Sequence, residues 1–159
     1  MYRKKSAKEK LADDKDLPRL ERITEGQRKV WGSGTIVIPA PREVDELMRR
    51  VPSGRITTIN DIRSCLAKRH KATIACPITT GIFVSIAAQA AEENATEGKK
   101  RATPYWRTLK SRGELNEKYP GGIERQRQRL ESEGFTVIQK GKNHVVKDFE
   151  KFLFIQQFR

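Results

Sequence analysis

The middle of the chain carries apolar residues at helical spacing. Between residues 44 and 51 they recur every three or four positions, and Pro52 ends that pattern. A second helix is expected after Thr57 and Thr58, whose hydroxyl groups suit a helix N-cap. Cys76-Pro77 separates it from a third, unusually apolar helix over residues 78–93. Two helices joined by a short break are typical of a helix-turn-helix.

The C-terminal third predicts one more helix and a hairpin. Residues 123–133 show a helical pattern, and residues 135–139 and 144–147 alternate in polarity on either side of Lys140-Gly141-Lys142-Asn143. Residues 148–154 space their apolar positions as a short docking helix does. The predicted fold class is therefore α+β: a mostly helical winged-helix or helix-turn-helix domain with a small β-wing and a C-terminal hairpin.

The predicted organisation is one domain with appendages, because 159 residues suffice for one ordinary core. Residues 1–29 are highly charged and are expected to form a basic, flexible N-terminal tail, with a short helix near residues 7–12. Residues 30–43 are expected to be an extended lead-in that stops at its prolines. The DNA-binding domain is placed at 44–139, and 140–159 supplies a hairpin strand and a short helix that pack on it.

The charge balance predicts a polyanionic partner. Lys and Arg number 33 against 20 Asp and Glu, a net charge of +13, which favours nucleic acid over an anionic membrane surface. The absence of a long apolar stretch or signal core supports neither membrane insertion nor secretion. Cys65 and Cys76 make no disulfide framework, so a reduced, intracellular setting is expected. His70 and His144 lack neighbours for a metal site, and no metal is predicted.

One segment places two aromatic side chains inside a basic stretch: Thr103-Pro104-Tyr105-Trp106-Arg107. Stacking of a base on such a ring is worth about 1–3 kcal/mol, and nearby cations supply contacts to phosphate. The alternative is that Tyr105 and Trp106 are core aromatics on a turn.

The order of four short motifs, with the two helices between them, resembles the DNA-binding domain of the methylated-DNA–protein-cysteine methyltransferase family over about residues 44–138. Val51-Pro52-Ser53-Gly54 resembles the opening motif, and Pro104-Tyr105-Trp106-Arg107 the Pro-Cys-His-Arg active-site turn. Tyr119-Pro120-Gly121-Gly122 resembles the wing, and residues 130–134 the closing helix that ends in Glu-Gly. The resemblance implies a protein that binds double-stranded DNA and holds a flipped guanine in a pocket.

The turn departs from that family at the two residues that carry its chemistry. Tyr105 stands at the position of the nucleophilic cysteine, and Trp106 at that of the activating histidine. A phenol with a pKa near 10 is ionised only to about 0.1 % at neutral pH, and an indole is not a base. The pattern is closer to alkyltransferase-like proteins, which bind the damaged base without repairing it. No catalytic residue and no cofactor is predicted.

The resemblance implies a base pocket and a DNA-contacting surface. The pocket residues are Tyr105, Trp106, Arg107, Tyr119, Gly121 and Glu133. Glu133 matches the family's relay glutamate and is expected to accept a hydrogen bond from Trp106, Asn116 or the backbone. The DNA-contacting residues are Thr57, Thr58, Ile82, Phe83, Ala87, Lys99, Lys100, Arg101 and Lys110. Ile82 or Phe83 takes the place of the family's arginine finger, either as an apolar wedge or as a core residue. Asn94 corresponds to a hinge asparagine.

Three functions stay open at the level of sequence. The first is a monomeric DNA-repair sensor that recognises alkylated or extruded guanine in duplex DNA without alkyl transfer. Its expected location is cytoplasmic and nucleoid-associated, with repair proteins as further partners. The second is an active methyltransferase that uses a relocated cysteine, Cys76 before Cys65. The third is a general DNA- or protein-interaction module whose vestigial pocket is filled by its own aromatics.

Overall fold

The structure is a computed structural model that describes residues 4–98 and 102–156. The helices and strands follow one another along the chain. They are α1 (Ala7–Ala12), β1 (Arg19–Arg22), α2 (Glu25–Trp31), β2 (Thr35–Ile38), α3 (Pro41–Arg49), β3 (Thr57–Thr58), α4 (Ile59–Arg69), β4 (Ile74–Ala75), α5 (Pro77–Thr96), a 3₁₀ turn (Tyr105–Arg107), β5 (Thr108–Leu109), α6 (Gly122–Ser132), β6 (Val137–Lys140), β7 (Asn143–Val146) and a second 3₁₀ turn (Phe149–Phe152).

The main core lies between α3, α4 and α5. The apolar spacing that predicts these helices is the spacing of their buried faces, since Leu47, Leu66 and Val84 are fully buried in one cluster. α3 begins at a proline, as first helical turns often do. The hydroxyl of Thr58 caps α4 by accepting a hydrogen bond from the Asp61 backbone N–H at 3.2 Å. All three predicted helices are confirmed.

Small sheets join the helices and make the fold α+β, as predicted. β2 pairs with β1 in antiparallel and with β4 in parallel. β3 and β5 form a short parallel pair in which Thr57 faces Thr108. β6 and β7 form the predicted C-terminal hairpin, with Gly141-Lys142 at its turn. This second half of the molecule has its own buried cluster, which includes Ile56, Leu109 and Leu130.

The N-terminal segment differs from the free tail expected from its charge. α1 forms at the predicted place and packs along α5, where Leu11 contacts the main core. β1 pairs with β2, and α2 carries Trp31 against a small cluster with Ile23 and Ile36. Composition alone missed this docking because the partners of α1 and β1 are remote in sequence.

The C-terminal residues are tied to the strand that opens the domain. The Ile56 backbone N–H donates to the Phe152 carbonyl at 3.0 Å, and the Phe154 N–H donates to the Ile56 carbonyl at 2.7 Å. Phe152 also meets Phe135 edge to face, with ring centroids 5.3 Å apart. The predicted short helix is a single 3₁₀ turn that covers the second core cluster.

Candidate nucleic-acid interface

Glu133 joins three of the motifs singled out in the sequence. Its carboxylate accepts a hydrogen bond from the Trp106 indole N–H at 2.7 Å and from the Arg107 Nε at 3.0 Å. It also accepts one from the Gly54 backbone N–H at 3.2 Å, and Arg107 donates to the Val51 carbonyl at 2.8 Å. The expected contacts of Glu133 with Trp106 and with backbone are thus observed. The opening motif, the aromatic turn and the closing helix converge on one carboxylate.

The environment of Glu133 favours its ionised form. Burial by itself disfavours the charge, but the hydrogen bonds from Arg107, Trp106 and Gly54 outweigh it and lower the pKa of Glu133. A carboxylate held ionised by an arginine and an indole accepts hydrogen bonds and has no proton to give. Glu133 therefore acts here as a structural anchor for the turn.

The aromatic rings of the predicted base pocket fill one another's space. Tyr105 and Tyr119 are buried, and their ring centroids lie 5.2 Å apart in an edge-to-face arrangement. The Tyr119 hydroxyl donates to the Thr108 carbonyl at 2.7 Å. Burial raises the pKa of both phenols, and Glu92 adds to the effect at Tyr105. The rings occupy this space as core side chains, and neither phenol is an activated nucleophile.

Trp106 is enclosed from several sides. Its ring meets Tyr105 edge to face at 5.4 Å, and the guanidinium carbons of Arg107 and Arg129 lie 5.5 and 4.6 Å from its centroid. Tyr105, in turn, donates from its hydroxyl to Glu92 at 3.4 Å. The indole therefore supports the turn from within, with its face directed at arginine.

Gln126 is a site residue that the helical pattern of residues 123–133 does not single out. It is buried, its side-chain oxygen accepts from the Asn116 N–H at 2.8 Å, and its amide donates to the Trp106 carbonyl at 3.1 Å. It fixes the turn relative to the loop 110–121. Its spacing from Ile123 and Leu130 was the available signal, since all three share one helix face.

The backbone conformation at the start of α6 accounts for a glycine at position 121, with no need for a contact to a ligand. Gly121 has a φ of +81°, a conformation that suits glycine, and it stands at the N-cap of the helix. A Cβ at this position would collide with the side chain of Arg125, which is itself held by Glu92 at 2.7 Å.

An open groove of about 640 Å³ runs beside the N-terminal half of α5. Its floor is apolar and includes Ile78 and Ile82, which are 62 % and 52 % exposed. Its rim carries Lys110, Lys118 and the acidic Glu117 on the loop after β5 and Lys10 on α1, so lysines outnumber acidic residues there by three to one. An apolar floor with a rim of cations suits the deoxyribose and phosphates of a nucleic acid. We refer to this feature as the α5 groove.

The α5 groove brings together only part of the predicted DNA-contacting set. Ile82 and Lys110 both line it. Phe83, one residue on, turns toward the main core and packs there. The rotation of α5 thus exposes Ile82 and turns Phe83 inward, so Ile82 is the one of the two that can meet a ligand.

Three predicted DNA contacts are corrected by burial. Thr57 and Thr58 are buried in the short parallel pair with β5 and in the cap of α4, and Ala87 is fully buried against the core. None of the three side chains offers a surface to DNA. Lys99, Lys100 and Arg101 lie outside the described residues.

Asn94 lies in the last turns of α5 and lines a separate groove with α1 and α3. The side-chain hydrogen bond from this helix to the aromatic turn comes from Glu92, which accepts from Tyr105. The hinge role of Asn94 stays a prediction.

The two cysteines are buried in two different hydrophobic clusters. Cys65 is buried in the cluster that contains Tyr105, while Cys76 is buried in the small cluster with Ile23 and Ile36. Cys76 Sγ accepts a hydrogen bond from the Thr79 hydroxyl at 3.2 Å.

Within the described part of the chain, no group of three or more His, Cys, Asp or Glu side chains is arranged to hold a metal ion. The same part holds no helix long and apolar enough to cross a membrane.

Comparisons with known proteins give a distant likeness in structure. No protein-family model matches the chain, and no curated protein matches it significantly. The chain is similar to S. pombe Atl1 in complex with damaged DNA containing O6-carboxymethylguanine, at 18 % identity and a TM-score of 0.49. It is also similar to S. pombe ATL in complex with DNA, at 19 % identity and a TM-score of 0.48. Each alignment covers 72 % of this chain and 93 % of that chain.

Proposed function

We propose that this protein binds double-stranded DNA through the α5 groove and recognises an alkylated or extruded guanine without transferring the alkyl group. The observation that carries the proposal is the groove itself, in which an exposed apolar helix face lies between lysines on two different elements. In a repair setting such a protein acts as a damage sensor that marks a site for other proteins.

The absence of transfer chemistry follows from the aromatic turn. Tyr105 is buried and the pKa of its phenol is raised, and the indole N–H of Trp106 donates its hydrogen bond to Glu133. Transfer of a methyl group from guanine to a cysteine needs an attacking thiolate, and the turn contains no cysteine. Both cysteine side chains are buried, and the Sγ of Cys76 accepts a hydrogen bond from the Thr79 hydroxyl.

The α5 groove offers open space to an extruded base, whereas the packed rings of Tyr105 and Tyr119 fill the space at the aromatic turn. The groove is larger than one base needs, and Ile82 stands on its floor. Apolar side chains placed this way unstack base steps in proteins that bind the minor groove, at a cost of a few kcal/mol per step. That cost is smaller at a damaged pair, and this difference is the physical source of a preference for lesions.

The second candidate is a general DNA-binding module with a vestigial pocket. It is favoured by one specific observation, the edge-to-face packing of the buried Tyr105 and Tyr119 rings. In this case the protein binds duplex DNA by charge and groove shape and shows no preference for a modified base.

The deciding experiment compares two matched duplexes, one with a single alkylated guanine, by fluorescence anisotropy at two salt concentrations. We expect tighter binding to the alkylated duplex by about tenfold, or about 1.4 kcal/mol. Equal and salt-sensitive binding would establish the second candidate, and no binding to either duplex would refute both.

A parallel assay tests alkyl transfer. The alkyl group on guanine is isotopically labelled, and protein-bound label and free thiols are measured after incubation. We expect no label on the protein and two free thiols. Label on Cys76, abolished by Cys76→Ser, would instead identify the chain as an active methyltransferase.

A further inference from the structure

Two carboxylates fasten the helix α1 to α5: Glu97, just after α5, pairs with Lys8 Nζ at 2.6 Å, and Glu93 binds the backbone of α1. Glu93 on α5 accepts hydrogen bonds from the backbone N–H groups of Ala7 at 2.9 Å and Lys8 at 3.1 Å. These groups belong to the first turn of α1, where backbone donors have no partner within their own helix. Leu11 then packs on the main core. α1 is too short to be stable alone, so its position depends on these contacts.

This attachment places Lys10 on the rim of the α5 groove. Lys10 lines the groove on the α1 side, while Lys110 and Lys118 line it on the loop side. Among the described residues, Lys10 has no ion pair, whereas Lys110 lies 3.4 Å from Glu117. The apolar ridge of Ile78 and Ile82 belongs to the same groove.

We propose that α1 forms the second wall of the DNA-binding cleft, with Lys10 contacting a backbone phosphate across α5 from Lys110 and Lys118. This inference rests on the proposed function, since it assigns DNA to the α5 groove. A duplex presents two phosphate backbones on either side of each groove, and cations on both sides of an apolar helix match that arrangement. α1 lies outside residues 44–138, so the inference adds a binding element to that domain.

A substitution at Glu93 distinguishes binding through a correctly positioned Lys10 from attraction by the net charge of the protein. Glu93→Gln removes one negative charge, and attraction between a more basic protein and DNA would by itself strengthen binding. If α1 must be held in place to present Lys10, the same substitution weakens binding. The two explanations therefore predict opposite signs.

The experiment measures binding of the full chain to an unmodified duplex by anisotropy across a salt series. Lys10→Ala is compared with Lys29→Ala, which removes the same charge from an exposed position on α2. We expect Lys10→Ala to weaken binding about fivefold at 0.15 M salt and to reduce the salt slope by about 0.9, as loss of one phosphate contact does. Lys29→Ala should change the affinity by less than about twofold, since Lys29 does not line the groove and an exposed charge is screened by salt.

Glu93→Gln should weaken binding in the same direction as Lys10→Ala, and the double variant should be no weaker than Lys10→Ala alone. Circular dichroism and thermal unfolding verify that each variant remains folded. Tighter binding by Glu93→Gln, or equal binding by Lys10→Ala and Lys29→Ala, overturns the inference. If Lys110→Ala still weakens binding in that case, the proposed function stands without the α1 wall. A wild-type chain that binds no duplex overturns both.

Discussion

At the scale of single residues, the molecule depends on polar side chains buried between motifs that are distant in sequence. Glu133 accepts from an indole, a guanidinium and a backbone N–H, and its side chain is only 11 % exposed. Arg107 has no other carboxylate within reach among the described residues. Removing the charge of Glu133 therefore leaves a mostly buried guanidinium without its counter-ion.

We expect Glu133→Gln to lower the free energy of unfolding by about 2 kcal/mol at pH 7, the usual loss for a hydrogen bond to a charged group. The pKa of Glu133 is lowered by folding from its ordinary 4.5, so its stabilisation is fully present above pH 4.5. That stabilisation is lost as the pH falls through the lower, folded-state pKa. Urea unfolding from pH 7 to pH 3 should show wild type and variant converging at acid pH.

Glu131→Gln is the matched control, because Glu131 is exposed on the same helix and pairs with Arg127 at the surface. Exposed pairs contribute about 0–1 kcal/mol. A loss as large in Glu131→Gln as in Glu133→Gln would contradict the special role of Glu133.

A second prediction at the scale of single residues concerns Gln126. Gln126→Leu keeps the side-chain volume but leaves the Asn116 N–H and the Trp106 carbonyl without their partner. Unsatisfied buried groups cost about 1–3 kcal/mol each, so we expect the free energy of unfolding to fall by about 2–4 kcal/mol. Chemical denaturation measures it, with the exposed Gln128→Leu as the control. An unchanged midpoint would show that Gln126 is dispensable.

At the scale of elements, α5 serves two purposes with two faces. One face carries small residues such as Ala87 and Ala91 and is buried against α3 and α4. The opposite face exposes Ile78 and Ile82 in the groove. Exposed isoleucines contribute little to folding, since their burial is incomplete.

Substitution of Ile82 separates binding from folding. We expect Ile82→Asn to weaken duplex binding about fivefold, because roughly half of an isoleucine side chain, worth about 1 kcal/mol, loses its apolar contact with DNA. The melting temperature should stay within about 2 °C of wild type. Val30→Asn on the exposed face of α2 is the control, since Val30 is 79 % exposed and lies outside the groove. Equal binding by the two variants would exclude α5 from the interface.

At the scale of the whole molecule, the net charge of +13 predicts attraction to any polyanion. The structure concentrates part of that charge where it can act in concert, with Lys10, Lys110 and Lys118 around one groove. Other cations are engaged internally, such as Arg125 with Glu92 and Arg107 with Glu133. Net charge alone therefore overstates the number of available phosphate contacts.

The salt dependence of binding counts those contacts. Three lysines at phosphates correspond to a slope of log K against log salt of about −2.7 for duplex DNA. Anisotropy titrations at salt concentrations from about 50 to about 300 mM measure this slope. A slope near zero would show that binding does not use phosphates, and one near −9 would show that most of the net charge takes part.

Much of the fold is accessible from the sequence because it is encoded locally. The spacing of Val44, Leu47 and Met48 predicts α3, Thr58 marks the cap of α4, and Cys76-Pro77 marks the start of α5. Such signals involve neighbours a few residues apart, which a pattern along the chain records directly. The replacement of Cys and His by Tyr105 and Trp106 is likewise a matter of residue identity, and it decides the chemistry of the turn.

Only the tertiary structure decided which side chains are free to meet a ligand. Tyr105 and Tyr119 become core residues because they pack on each other, and Ile82 rather than Phe83 faces solvent because of the rotation of α5. α1 joins the groove through Glu93, a partner some 86 residues away. The sequence by itself thus determined the helices, the charge and the missing nucleophile. Packing between remote segments determined exposure, since it depends on contacts that no local pattern contains.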